Sequence, residues 1–290
     1  MTGRVRTGMA GWVFEDWRGG QFYPDGLKQK DELSYASRHV GAIEINATFY
    51  SNQKAASFLN WKGQTPPDFM FAVKGHQLVT HIKKLKDVEG PLANFFASGV
   101  LALGERLGPI CWQLPGNLGF NPERIASFLD LLPHAAKDAV ALAEKHDERI
   151  TAPHLDAAGV GPVRHAIEVR HKSFADPAFI AMLRAANVAL VVADTADWPY
   201  FDQTADFTYC RLQGAPGGDH YEPQELDAWA KRFGSLAAGK GIGDGAFVVP
   251  PEGAEPERDV FAFFVSTDKP NAPRNALGII DRLGLEPAAD

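Results

Sequence analysis

Glu168 and Arg170 stand two residues apart in the run Ala166-Ile-Glu-Val-Arg-His-Lys-Ser-Phe174, which reads as a buried strand with charge at its C-terminal end. Strand side chains alternate, so both project from the face opposite Ile167 and Val169. Opposite charges on one wall are costly to bury unless each has partners. A satisfied ion pair in a polar interior is one reading. A catalytic wall is the other, because perturbed charges gather at active sites. His171, of opposite parity, is expected at the rim.

Other predicted strand ends carry similar residues. Ile43-Glu-Ile-Asn-Ala-Thr-Phe-Tyr50 reads as a strand with Glu44, Asn46 and Thr48 on one face; other ends supply Trp12, Lys74, Gln113, Asp194, Tyr209 and Arg211, and His81 lies just past Lys74. Three chemistries fit this inventory. Glu44 and Glu168 would serve as general acid and base, or as nucleophile and acid, with Trp12, Trp17, Phe22, Tyr23 and Tyr50 as rim aromatics for a sugar. Glu44, Glu168, Asp194 and a histidine would bind a divalent cation, although the interleaved Lys and Arg compete with a metal, so no metal or cofactor is expected. Lys74, Arg170 and Arg211 would hold a carboxylate or phosphate, helped by the loop Gly214-Ala-Pro-Gly-Gly-Asp-His220.

The elements that must position these residues are legible in the hydrophobic periodicity. Eight strand-like runs are expected at Val5–Trp12, Ala42–Tyr50, Phe69–Lys74, Ile110–Leu114, His165–Arg170, Val188–Asp194, Phe207–Leu212 and Val260–Val265. Helical patterns separate them, several opening with proline at the first turn, as at Asn121-Pro122, Asp176-Pro177 and Glu222-Pro223. Eight βα units predict an α/β protein of the (β/α)8 TIM-type barrel class, in which sites lie at the strand C-terminal ends. A single domain over residues 1–290 is expected, with an insertion, a helix plus a loop, at 135–161 after the fourth βα unit. Gly239–Arg258, rich in Gly and Pro, reads as a surface loop.

Composition narrows the function classes. A net charge of −7 over 290 residues argues against strong nucleic-acid binding, which needs a basic face. No apolar run approaches the roughly 20 residues of a membrane span, and no signal core opens the chain, so no membrane partner and a cytoplasmic location are expected. Cys111 and Cys210 lack CxxC spacing, and a disulfide between them is not expected. No GxGxxG or Walker loop points to a redox cofactor or a nucleotide.

The order of Gly11-Trp-Val-Phe-Glu-Asp-Trp-Arg-Gly-Gly-Gln-Phe-Tyr-Pro24, Glu44-Ile-Asn-Ala-Thr-Phe-Tyr50, Phe71-Ala-Val-Lys74, Thr80-His81, Gln113-Leu-Pro115, Glu168-Val-Arg-His171 and Tyr209-Cys-Arg-Leu212 resembles the YecE-like family, known as domain of unknown function 72. The resemblance spans nearly the whole chain and implies a TIM-type barrel, without supplying a reaction. The chain departs from it at Gln213, where members often carry His, at Phe174, often Trp, and at Ser266-Thr267, often Asn-Asn. The leading expectation is an enzyme, a hydrolase as first choice, acting on a small anionic or polyhydroxylated molecule by carboxylate acid/base chemistry. A noncatalytic ligand-binding barrel and a metal-dependent isomerase or endonuclease-like barrel are the alternatives, the last by fold analogy alone.

Overall fold

The structure, a computed structural model, describes residues 3–195, 197–214, 221–265 and 269–286. Nine strands occur among them: β1 (Val5–Ala10), β2 (Ala42–Ile45), β3 (Met70–Lys74), β4 (Leu107–Gln113), β5 (His165–Glu168), β6 (Ala189–Leu190), β7 (Val192–Ala193), β8 (Phe207–Leu212) and β9 (Asp259–Phe264). The α-helices are α1 (Glu32–Ala36), α2 (Ala47–Tyr50), α3 (Ala55–Gln64), α4 (Glu89–Ala97), α5 (Pro122–Asp130), α6 (Ala136–Ala143), α7 (Pro177–Ala185), α8 (Pro223–Ala237) and α9 (Ala272–Leu283). Proline opens α5, α7 and α8 as expected, and Asn121 and Asp176 cap their helices by accepting from Arg124 N and Ala178 N, both at 2.8 Å.

The chain divides into two compact units, one of Met1–Glu44, Thr65–Phe69 and Ala189–Asp290, the other of Ile45–Gln64 and Met70–Val188. In the first, parallel pairing runs β2-β1-β9-β8-β7. Every residue of β8, and all of β9 except Asp259, is buried, as expected of parallel strands covered on both faces. Helices α8 and α9 pack together and against β9 and β1, burying Leu226, Phe233, Ala276 and Ile279. In the second unit β3, β4 and β5 pair in parallel, with Gln113 opposite Glu168. Trp112, of opposite parity to Gln113, turns away from it to pack against Phe95 of α4 and Phe128 of α5. The region expected as an insertion contains α6, which packs on α4, followed by irregular chain up to β5.

Three expectations about elements are corrected. The second strand ends at Ile45 rather than Tyr50: Asn46 is already in the right-handed helical region, and the Thr48 hydroxyl turns back to Ile45 O at 3.1 Å. Asn46 and Thr48 therefore do not extend the strand face that holds Glu44. The fifth strand ends at Glu168, so Arg170 lies beyond it. The run Val188–Asp194 is two short strands separated at Val191, and the Leu190 N–H donates to Thr204 Oγ1 at 2.7 Å.

Candidate functional site

In the first unit, Glu44 is fully buried on β2 and accepts from Tyr209 Oη at 2.7 Å, Arg211 Nε at 2.9 Å and Arg211 Nη2 at 3.0 Å. Tyr209 and Arg211 share a face of β8 through their two-residue spacing. In pairing order β8 is three strands from β2, about 14 Å along a flat sheet. Hydrogen bonds across that interval require the sheet of this unit to curl, so that inward-facing residues of β2 and β8 meet. The Arg211–carboxylate contact is a two-pronged, charge-assisted pair with both partners withdrawn from water.

Asp194 follows β7. It accepts from Gln213 N at 2.7 Å and from the Tyr221 hydroxyl, which in turn accepts from Gly214 N at 2.8 Å. Burial pushes the Asp194 carboxyl up, opposed by these hydrogen bonds. Beside it is a cavity of about 360 Å³ walled by Phe201, Trp229 and Arg232, with the Arg232 guanidinium 4.6 Å from the Trp229 ring. Trp12 is half-buried, and its carbonyl accepts from Tyr23 Oη at 2.6 Å.

In the second unit, the C-terminal ends of β3, β4 and β5 bring Lys74, Gln113 and Glu168 to one edge. Glu168 is 2% exposed. Gln113 Nε2 donates to its two carboxylate oxygens at 2.8 and 2.9 Å. Arg170 adds Nε and Nη2 at 3.1 and 3.0 Å, while its own side chain is 42% exposed. The carboxylate is thus buried, yet joined to a cation that reaches water. Lys74 Nζ lies 4.3 Å from the centre of the Phe49 ring, and the His81 ring meets Phe49 edge-on at 4.9 Å. His81 sits in a π-helical turn, Leu78–Ile82, with Nδ1 at 2.9 Å from Thr80 Oγ1. Burial, then the charges of Lys74 and Arg170, hold its imidazolium pKa below the usual value, with Glu168 opposing. The ring is therefore neutral near pH 7.

The expected site residues thus fall into three groups: Glu44 with Tyr209 and Arg211; Asp194 with Gln213 and Tyr221; and Gln113, Glu168 and Arg170 with Lys74 and His81. Asn46 stands at the start of α2, its Oδ1 buried without a hydrogen-bond partner. His171 bonds Ser173 rather than joining Glu168. Two expected rim aromatics are corrected: Trp17 and Tyr23 are buried among Phe14, Phe22 and Tyr35, where mutual packing leaves no face for a sugar. Tyr50 is 70% exposed. The loop at 215–220 and Ser266-Thr267 lie outside the described residues. Cys111 and Cys210 are both buried free thiols. Among the described residues no three His, Cys, Asp or Glu side chains gather to hold a metal ion, and no helix is long and apolar enough to cross a membrane.

Phe49 and Tyr221 were not singled out from sequence for these contacts. Phe49 was hidden by the strand expected through Tyr50, which gave it the wrong direction. Tyr221 follows the glycine-rich loop, and nothing in its spacing ties it to Asp194.

The family described as protein of unknown function DUF72 matches residues 6–290. A stretch of 76 residues is 33% identical to the UPF0759 protein YunF of Bacillus subtilis, covering 26% of this chain and 26% of that protein, so the match spans about a quarter of the relative's length. A crystal structure of a DUF72 family protein from Thermotoga maritima superposes with a TM-score of 0.69 at 25% identity, over 97% of this chain and 99% of that one. Another, from Enterococcus faecalis, gives 0.65 at 16% identity over 98% of each chain, a likeness of fold alone. The fold is the α/β TIM-type barrel class expected from the alternation of strands and helices.

Proposed function

Because the chain belongs to the DUF72 family, whose description names no reaction, we propose a function from its side chains: a hydrolase for a small anionic or polyhydroxylated substrate, worked from the ends of β3, β4 and β5. The observation that carries this reading is Glu168, a buried carboxylate held by the Gln113 amide and by the half-exposed Arg170. The partners described for it, Gln113 and Arg170, are donors, which suits the ionised form, a proton acceptor. Glu168 takes a proton from water as the oxygen attacks the substrate, and a second group returns a proton to the leaving oxygen. His81, which shares its surroundings with Lys74, Arg170 and Glu168, is assigned that second role in its protonated form. Lys74 and Arg170 offset the substrate's negative charge, Arg170 with a planar fork of donors. Glu44, closed in by Tyr209 and Arg211, holds Arg211 in place in this reading. The expected setting is the cytoplasm.

The test is turnover of 4-nitrophenyl phosphate, 4-nitrophenyl acetate and 4-nitrophenyl β-glucoside by the full chain and by Glu168→Gln. Wild type should release nitrophenol from at least one, and the variant should lose about 10²- to 10⁴-fold, the range of a general base. An equal rate in both proteins would end the assignment of Glu168. Absence of turnover, with stabilisation by phosphate that survives in Glu168→Gln, would favour a noncatalytic binding barrel.

A further inference from the structure

A cavity of about 730 Å³ lies in the first unit, outside the Glu168 cluster. Its wall includes the first turns of two long helices, α8 of 15 residues and α9 of 12, through Pro223 and Pro273. Helix N-termini carry positive partial charge, and two here share one space. A second observation is independent of the helices. Asn275 is 4% exposed and lines the cavity, and its Nδ2 is buried with no hydrogen-bond partner. A buried amide donor without an acceptor costs on the order of 1–3 kcal/mol, which a ligand oxygen would recover. One residue before it, Arg274 is exposed on the same wall.

The other charges of the wall are already engaged or lie elsewhere. Arg282 donates to Asp227, Gly278 O and Pro223 O. The Glu222 carboxylate is bound in the capping box of α8. Asp281 lies near the far end of α9. Phe22, Leu226 and the prolines supply apolar surface. The volume is that of a pocket for a drug-sized molecule.

We propose that this cavity binds a small molecule that joins an oxyanion to an aromatic or aliphatic body, the oxyanion accepting from Asn275 Nδ2 and Arg274 at the first turn of α9. The apolar body rests on Phe22 and Leu226. Tyr221 lines this cavity and the smaller one beside Asp194, and its hydroxyl is committed to Asp194. It therefore contributes its ring to the ligand rather than a donor.

Calorimetric titration of the full chain with phenyl phosphate is the test, with benzoate as the carboxylate arm. Binding of either supports the site, and the tighter of the two identifies the oxyanion. Arg274→Glu, an exposed change that leaves the core untouched, should weaken binding at least tenfold. Asn275→Ala should do the same where it folds. No binding of either probe overturns the proposal, as does binding that Arg274→Glu leaves unchanged. Glu168→Gln should bind as wild type does, so loss of turnover there and loss of binding at Arg274 fail separately.

Discussion

Glu44 and Glu168 are both acids at strand ends, but their surroundings assign them different work. Glu44 has no exposure and three donor contacts, two from one guanidinium. Removing Arg211 would leave a buried carboxylate with only the Tyr209 hydroxyl. Arg211→Leu should therefore cost about 3–5 kcal/mol, the loss seen when one partner of a buried ion pair is removed, measured as a fall in the urea unfolding free energy. A loss below about 1 kcal/mol would mean that the pair is wetter than its burial indicates. At Glu168 the exposed Arg170 makes the same substitution milder in stability and stronger in binding. The lowered pKa of His81 sets a further expectation: as the proton donor it must be protonated, so kcat/KM falls as pH rises through a pKa below the ordinary histidine value near 6.5. An alkaline limb centred above 7 in the pH–rate profile would remove His81 from the reaction.

At the scale of elements, close pairing of β1 and β2 sets the height of Glu44. Gly8 pairs with Ala42, and a Cβ built on Gly8 would stand 1.7 Å from Ala42 O, a backbone atom that cannot rotate away. Gly8→Ala should thus destabilise by about 3 kcal/mol or more through forced separation of the strands. Gly63, on α3 with open space around its Cα, is the control: Gly63→Ala should be neutral or stabilise by up to about 1 kcal/mol through helix propensity. Equal urea midpoints for the two variants would refute this account. The element boundaries explain which sequence readings succeeded. Phe207–Leu212 was read to the residue because periodicity and flanking turn residues agreed. Ile43–Tyr50 was misread because apolar and polar residues alternate straight through a helical turn, which the Phe49 N–H closes on Asn46 O and the Thr48 hydroxyl, bonded to Ile45 O and Lys74 O, secures.

Across the whole molecule, acid stability should follow from buried histidines. His165 is fully buried, its Nε2 facing Pro133 O at 2.8 Å and its Nδ1 accepting from Trp112 Nε1 at 3.2 Å, so the neutral ring with a proton on Nε2 satisfies both. Burial pushes its pKa down to about 3. Above about 6.5 neither folded nor unfolded chain protonates this ring. Between about 6.5 and 3 only the unfolded chain does, so stability falls by about 1.4 kcal/mol per pH unit, or about 2 kcal/mol at pH 5. His76 and His81 are lowered in the same direction and add to the trend. His165→Gln keeps a donor for Pro133 O and should flatten the slope of unfolding free energy between pH 6.5 and 5; an unchanged slope would exclude His165 as its source. By itself the sequence determined the α/β class, most of the helices and the polar character of the strand ends, because period and capping are local properties of a chain. The partners of those polar residues were decided by tertiary structure: Glu44 with Arg211, 167 positions apart, and Glu168 with Gln113, 55 apart. Strand curvature and register bring such side chains together, and neither is encoded in the spacing of the residues they join.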